Sequence, residues 1–192
     1  MPVKLRRLGL ASAPPDAAVL DLCCGHGEAL DALWAMGLRR LAGLDIAVDD
    51  RLASDGRFDV RQGDAKQTPW PAASFDWILN IHAMHHLGMA PEVARFLDEC
   101  WRLLKPGGRL GIIDFPNSLA IRAAFWWFRQ GWCQWTRYLR QFGRMIEEEW
   151  TFLKDYLPQF PEVERLLLEG RFAVERHRRG LFYFYLTLRK DV

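Results

Sequence analysis

The stretch Val19-Leu20-Asp21-Leu22-Cys23-Cys24-Gly25-His26-Gly27-Glu28 reads as an apolar strand that runs into a glycine turn and then into a helix. Glycines in such a turn let a ligand approach the backbone, and free amides at a helix start favour a carboxylate or a phosphate. A nucleotide-like ligand at this strand end is the physical expectation. The dinucleotide fingerprint G-x-G-x-x-G is weakened because Leu30 stands where its third glycine belongs. A P-loop is excluded, since no Gly-Lys-Ser/Thr follows.

Working outward, short apolar runs alternate with amphipathic stretches from Ala17 to Phe115. Strands are predicted at 17–23, 41–46, 58–62, 75–81 and 110–115. Helices are predicted at 27–36, where Gly37 caps the end, and at 91–104, where Pro91 opens the first turn. Pro106-Gly107-Gly108 reads as the breaker between that helix and the strand at 110–115. Parallel strands need crossovers of a dozen or more residues, so the spacing implies an open, doubly wound, mostly parallel α/β sheet. Beyond it, 172–176 and 181–188 look like an antiparallel pair, with a basic turn containing Gly180 between them. Pro158 and Pro161 read as the punctuation before a separate short helix at 162–168.

At 192 residues the chain is expected to be one domain, 1–192, with 115–157 as a helical cap inside it. Half of the residues are apolar and 26% are charged, which excludes disorder. The net charge of +2 leaves no overall field to draw the chain onto nucleic acid, so no nucleic-acid partner is expected. No apolar stretch reaches the ~20 residues of a membrane span, and the basic N-terminus lacks a secretory core, so a cytoplasmic protein is expected. Cys23, Cys24, Cys100 and Cys133 show no C-x-x-C spacing and read as reduced. His82, His85 and His86 have no carboxylate or cysteine at ligand spacing, so no metal is expected.

The turn also resembles the first motif of the class I S-adenosylmethionine-dependent methyltransferases, Asp-x-Gly-x-Gly-x-Gly, with Asp21, Cys23, Gly25 and Gly27 in its register. Cys23 departs from the first glycine. Gly43-Leu44-Asp45-Ile46 follows where the family carries its ribose-binding acid, and Gln62-Gly63-Asp64-Ala65 resembles its adenine segment. The runs 69–76 and 79–87 are similar to its Pro-Phe…Ser-Phe-Asp and Leu-His-His-Leu blocks, and 101–110 matches its Leu-Lys-Pro-Gly-Gly turn. The resemblance implies a Rossmann-like fold, S-adenosylmethionine as cofactor, and direct displacement of its methyl group by a small acceptor. It assigns Asp21, Cys23, Gly25, Gly27, Asp45, Ile46, Asp64, Ala65 and Asn80 to the cofactor, with Asn80 facing the methyl region, and His85 as a candidate base. The order of motifs, with Tyr156-Leu157-Pro158-Gln159-Phe160-Pro161, is most similar to the ubiquinone/menaquinone branch, and so implies an apolar or prenylated acceptor.

Two alternatives stand beside this reading. A non-catalytic protein of the same fold would show no rise in melting temperature with S-adenosylmethionine. A macromolecule methyltransferase acting on RNA or protein is the other, although Ile81, His82 and Ala83 follow Asn80 where a base-flipping enzyme carries Asn-Pro-Pro-aromatic. Phe125 to Phe152 holds ten aromatics in 28 residues, five of the chain's nine tryptophans among them, interleaved with Arg129, Arg137, Arg140 and Arg144. Besides core packing, it reads as an acceptor pocket or as a peripheral contact with a membrane surface.

Overall fold

Glycine and proline positions set the strand ends, and the apolar faces between them build the sheet. In the computed structural model the backbone is described for residues 1–129 and 137–191, and side chains for the same residues except 129 and 137–146. Among them, seven strands form one sheet: β1 Ala18–Leu22, β2 Arg40–Asp45, β3 Asp59–Gln62, β4 Phe75–Ile81, β5 Leu104–Asp114, β6 Ala173–Arg179 and β7 Phe184–Arg189. Their order is β3-β2-β1-β4-β5-β7-β6. The first five run parallel, and β7 enters antiparallel between β5 and β6. This is the expected doubly wound sheet with its antiparallel pair.

Helices cover both faces. On one lie α1 (Pro2–Leu8), α2 (Glu28–Ala35) and α3 (Asp50–Ala53), whose Leu5, Leu8, Leu30, Leu33 and Leu52 join Val19, Leu79 and Ile113 in one core. On the other lie α4 (Ala90–Leu103), α5 (Leu119–Arg129) and α6 (Arg137–Glu169), with Phe96, Phe125, Tyr156 and Phe160 over Leu20, Ile78 and Ile112. A strand buried on both faces is mostly apolar, and β1 and β4 are apolar apart from Asp21, Asp76 and Asn80.

Three expectations are corrected. Residues 104–108 are strand and not breaker: Leu104 pairs with Phe75, and β5 absorbs the glycines through a register shift. Pro158 and Pro161 do not end the insert, and α6 continues through both for 33 residues. Each proline removes one intrahelical amide, but buried Tyr156, Leu157, Phe160 and Val163 hold the segment against the sheet across them. The basic residues Arg176, His177, Arg178 and Arg179 lie on edge strand β6 and not in a turn, where exposed charge discourages edge pairing with another chain. The residues before β1 also form a helix, α1, that sequence periodicity did not reveal. The C-terminal strand holds it: Thr187 Oγ1 donates to the Leu8 carbonyl at 2.8 Å, and Arg7 donates to the Tyr185 hydroxyl at 3.0 Å.

The short crossover between β2 and β3 leaves room for only the single turn of α3. Cys133, Trp132, Trp135 and the side chains of Arg129, Arg137, Tyr138, Arg140, Phe142 and Arg144 lie outside the described residues. No described helix is long and apolar enough to cross a membrane.

Candidate active site

Parallel strands in an open sheet leave a crevice beyond their carboxyl ends, and here that crevice is a cleft of about 1550 Å³. A single small-ligand pocket holds roughly 300–1,000 Å³, so there is room for two ligands. The ends of β1, β2, β3 and β4 supply Asp21, Asp45, Asp64 and His82 to its wall.

The turn after β1 is fixed by its backbone. Gly25 and Gly27 have φ of +51° and +81°, and Gly27 begins α2. A Cβ on Gly27 would lie 2.6 Å from Leu52, whereas nothing stands within 4 Å of one on Gly25, which faces open space. Cys23 has φ +64°, so the residue that departs from the family glycine sits in the left-handed region without glycine's freedom. Cys23→Gly is therefore expected to leave stability level or raise it by up to ~1 kcal/mol, because about 1–2 kcal/mol of strain is relieved against the larger chain entropy of unfolded glycine. Chemical denaturation checks this, and a clear loss would show that the thiol's packing outweighs the strain. Burial, then the Asp45 and Asp21 charges, push the Cys23 thiol up to about 12, and burial raises Cys24 likewise, so neither thiol is poised as a nucleophile.

Asp45 Oδ2 accepts from the Gly25 amide at 2.8 Å and Oδ1 from Ala47 at 3.1 Å, leaving lone pairs on both oxygens for ligand hydroxyls. Beside it Ile46 presents its apolar side chain, 78% exposed, to the cleft. Asp64 Oδ1 accepts from the Lys66 amide, and Ala65 completes that wall. Asp21 is buried, yet its Oδ1 has no protein partner. Burial, then the Asp45 charge, push its carboxyl up to about 7.

Asn80 does not reach the cleft. It lies one residue short of the end of β4, fully buried, and its amide donates to the Leu22 carbonyl at 3.2 Å. The cleft wall is taken instead by Ile81, His82 and Ala83. His82 has φ +56°, and burial, then the Lys4 cation, push its pKa down to about 4, so it is neutral. Lys4 Nζ lies 2.6 Å from its Nε2, which brings α1 to the rim, a contribution that no sequence motif signalled.

His85 is also set back from the cleft. Its Nδ1 lies 2.8 Å from Asp114 Oδ1 and its Nε2 2.7 Å from Glu149 Oε2, on α6. Burial opposes a charge on the ring, but the two carboxylates outweigh it and hold the pKa above its ordinary value. With a proton on each nitrogen, His85 has no lone pair for a substrate proton. Glu149 lines the cleft in its place, with Phe152. The carboxylate that sequence spacing could not find beside the histidines arrives from 64 residues away.

The later motifs turn out to be structural. Asp76 Oδ2 accepts from Lys105 at 2.7 Å and from the Ala18 amide at 2.8 Å, tying β1, β4 and β5 together. Arg102, Glu99 and Thr68 form a second network behind the cleft.

Fold and cleft together define a class: Rossmann-like proteins that take a ligand at the carboxyl ends of a mostly parallel sheet. The family described as "Methyltransferase domain" matches residues 20–112. The 2-phytyl-1,4-naphtoquinone methyltransferase of Thermosynechococcus vestitus is 32% identical over 159 residues, covering 77% of this chain and 67% of that protein. The demethylmenaquinone methyltransferase of Lactiplantibacillus plantarum is 27% identical, covering 79% and 67%. The chain spans 39% of the length of one curated relative, from Mycolicibacterium smegmatis, and 71% of another, from Bacillus licheniformis. Among solved structures, the 1,6-didemethyltoxoflavin-N1-methyltransferase of Burkholderia thailandensis, crystallised with S-adenosylhomocysteine, superposes with a TM-score of 0.62 at 18% identity, covering 99% of this chain and 76% of that one. The chain belongs to the class I S-adenosylmethionine-dependent methyltransferases.

Proposed function

We propose that this protein transfers the methyl group of S-adenosylmethionine to a small apolar acceptor, and that residues 1–192 act as one catalytic unit with 115–157 as its cap. The observation that carries the reading is the pairing, in one cleft, of an Asp45 carboxylate that grips the glycine turn with a buried Asp21 oxygen that lacks a partner. Both fit the cofactor's chemistry, a vicinal diol and a cationic amino acid. Asp45 accepts from the ribose hydroxyls, Asp21 faces the ammonium group, Gly25 admits the methionine backbone, and Ile46, Asp64 and Ala65 enclose the adenine. Cys23 and Gly27 hold the turn. Bound S-adenosylmethionine supplies an activated methyl on its sulfonium, so the chain's task is orientation and exclusion of water. Asn80 acts from behind the cleft by fixing β1 to β4. His85 serves as a positioning residue that aims Glu149 at the acceptor end.

Two relatives' names, those of the phytyl-naphthoquinone and demethylmenaquinone methyltransferases, support a ring-bearing acceptor. Ile81, Leu87 and Phe152 give the far end of the cleft an apolar wall for it. Trp126 and Trp127 on α5 are 61% and 47% exposed, which supports a peripheral contact with a membrane surface.

Asp21 gives this reading a pH signature. The unliganded carboxyl titrates near 7, and a neighbouring cation favours its ionised form. Binding at about pH 6 should therefore release a proton, and at about pH 8 should release none, so affinity rises with pH up to about 7 and then levels. Calorimetry in two buffers of different ionisation heat reads the proton directly. No release at the lower pH would remove Asp21 from the site.

The overall test is transfer of label from S-adenosylmethionine into a cell extract separated into lipid, aqueous and macromolecular fractions. Label in the lipid fraction is the expected result, and label confined to protein or RNA would defeat the small-acceptor reading.

A further inference from the structure

Two imidazoles and a carboxylate converge at the acceptor end of the cleft. His85 Nε2 lies 2.7 Å and His86 Nε2 3.5 Å from the same oxygen, Glu149 Oε2. One ligand atom from each residue falls within 4.8 Å of the others. A proton shared between His85 and Glu149 accounts for the first distance. It does not account for a second imidazole turned onto the same oxygen beyond good hydrogen-bond range.

The surroundings are also built. Asp114, fully buried, faces His85 Nδ1 at 2.8 Å and accepts from the His85 backbone amide at 3.2 Å. A carboxylate behind one imidazole nitrogen, with the other nitrogen directed at a convergence point, is how metal-ligating histidines are oriented. His86 and Glu149 line the cleft, while His85 and Asp114 are sealed beneath it. The donor set is thus closed on one side and open to ligands on the other.

We propose that His85, His86 and Glu149 form a divalent transition-metal site whose open position faces the cleft. Two nitrogens and one carboxylate oxygen suit zinc, manganese or iron(II) better than magnesium or calcium, which prefer oxygen ligands throughout. Bonds of about 2.0–2.2 Å in a tetrahedron hold neighbouring donors roughly 3.3–3.6 Å apart. The His86–Glu149 distance already meets that spacing, the His85–Glu149 pair has to open, and no donor lies more than 4.8 Å from another. The incoming ion displaces the proton between them. Given the methyl transfer proposed above, the open position takes an oxygen of the acceptor and holds it beside the methyl donor.

The test uses the full chain, stripped of metal by chelation and titrated with zinc chloride by calorimetry in the absence of S-adenosylmethionine. One zinc per chain is expected, with affinity lowered tenfold or more in both His86→Ala and Glu149→Gln. Cobalt(II) substituted for zinc should give the visible absorption of a low-coordinate nitrogen–oxygen site, lost in the same variants. His86→Gln repeats the comparison should the alanine variant fail to fold by circular dichroism. No binding to the wild type, or binding unchanged by both substitutions, overturns the proposal. Because zinc is titrated without the methyl donor, failure here leaves methyl transfer standing, and failure to bind S-adenosylmethionine leaves the zinc result standing.

Discussion

Asp45→Ala is expected to weaken S-adenosylmethionine binding by about 10- to 150-fold, the equivalent of roughly 1.5–3 kcal/mol for charge-assisted hydrogen bonds. Two losses combine. The carboxylate that would accept from the ribose hydroxyls disappears, and so does the acceptor that holds the Gly25 amide in the turn. The backbone carbonyl of Asp45 still accepts from Gly63 at 2.9 Å, so the β2–β3 crossing survives and the fold should remain intact. Asp45→Asn keeps one acceptor oxygen and should lose less. Calorimetric titration of folded variants decides the matter: an alanine variant with wild-type affinity would mean that the ribose lies elsewhere.

Phe160→Ala, in α6, is expected to cost about 3–5 kcal/mol in chemical denaturation. Phe160 stands between Pro158 and Pro161, is almost completely buried, and meets the Tyr156 and Phe184 rings at centroid distances of 5.9 and 5.5 Å. With two intrahelical amides missing nearby, side-chain packing is what keeps this part of α6 on the sheet. Leu119→Ala, at a position 85% exposed, is the control and should change stability by less than about 0.5 kcal/mol. A Phe160→Ala loss below about 1 kcal/mol would show that the segment is not docked.

These two positions mark where sequence reading succeeds and where it stops. The strand end at Asp45 was legible because strand and acid are local: a short apolar run ends in a carboxylate, where the resemblance places the family's acid. The turn at 23–27 and the antiparallel pair were legible for the same reason. Phe160 was misread because proline is a local signal for a break, and the packing that overrides it comes from β7 and the other helices. Asn80 carried a motif position, but strand ends are read only to within a residue or two, and one residue separates the sheet interior from the cleft wall. His85 was found, but its chemistry was not. Its partners Asp114 and Glu149 sit on other elements, and a sidechain held between two carboxylates behaves oppositely to a free imidazole. α1 gave no periodic signal because its seven residues bury only Leu5 and Leu8.

The ties from α1 to β7 bear on how the molecule comes together. Leu8 and Thr187 are 179 residues apart, and Arg7 and Tyr185 are 178 apart, nearly the full span of the chain. Contacts of such high sequence separation carry the largest loop-closure cost and are reached late. The rim that Lys4 gives the cleft is thus tied to the final strand between β5 and β6, and the enclosure is expected to form later in folding than the glycine turn, whose contacts to Leu44 and Asp45 span about twenty residues.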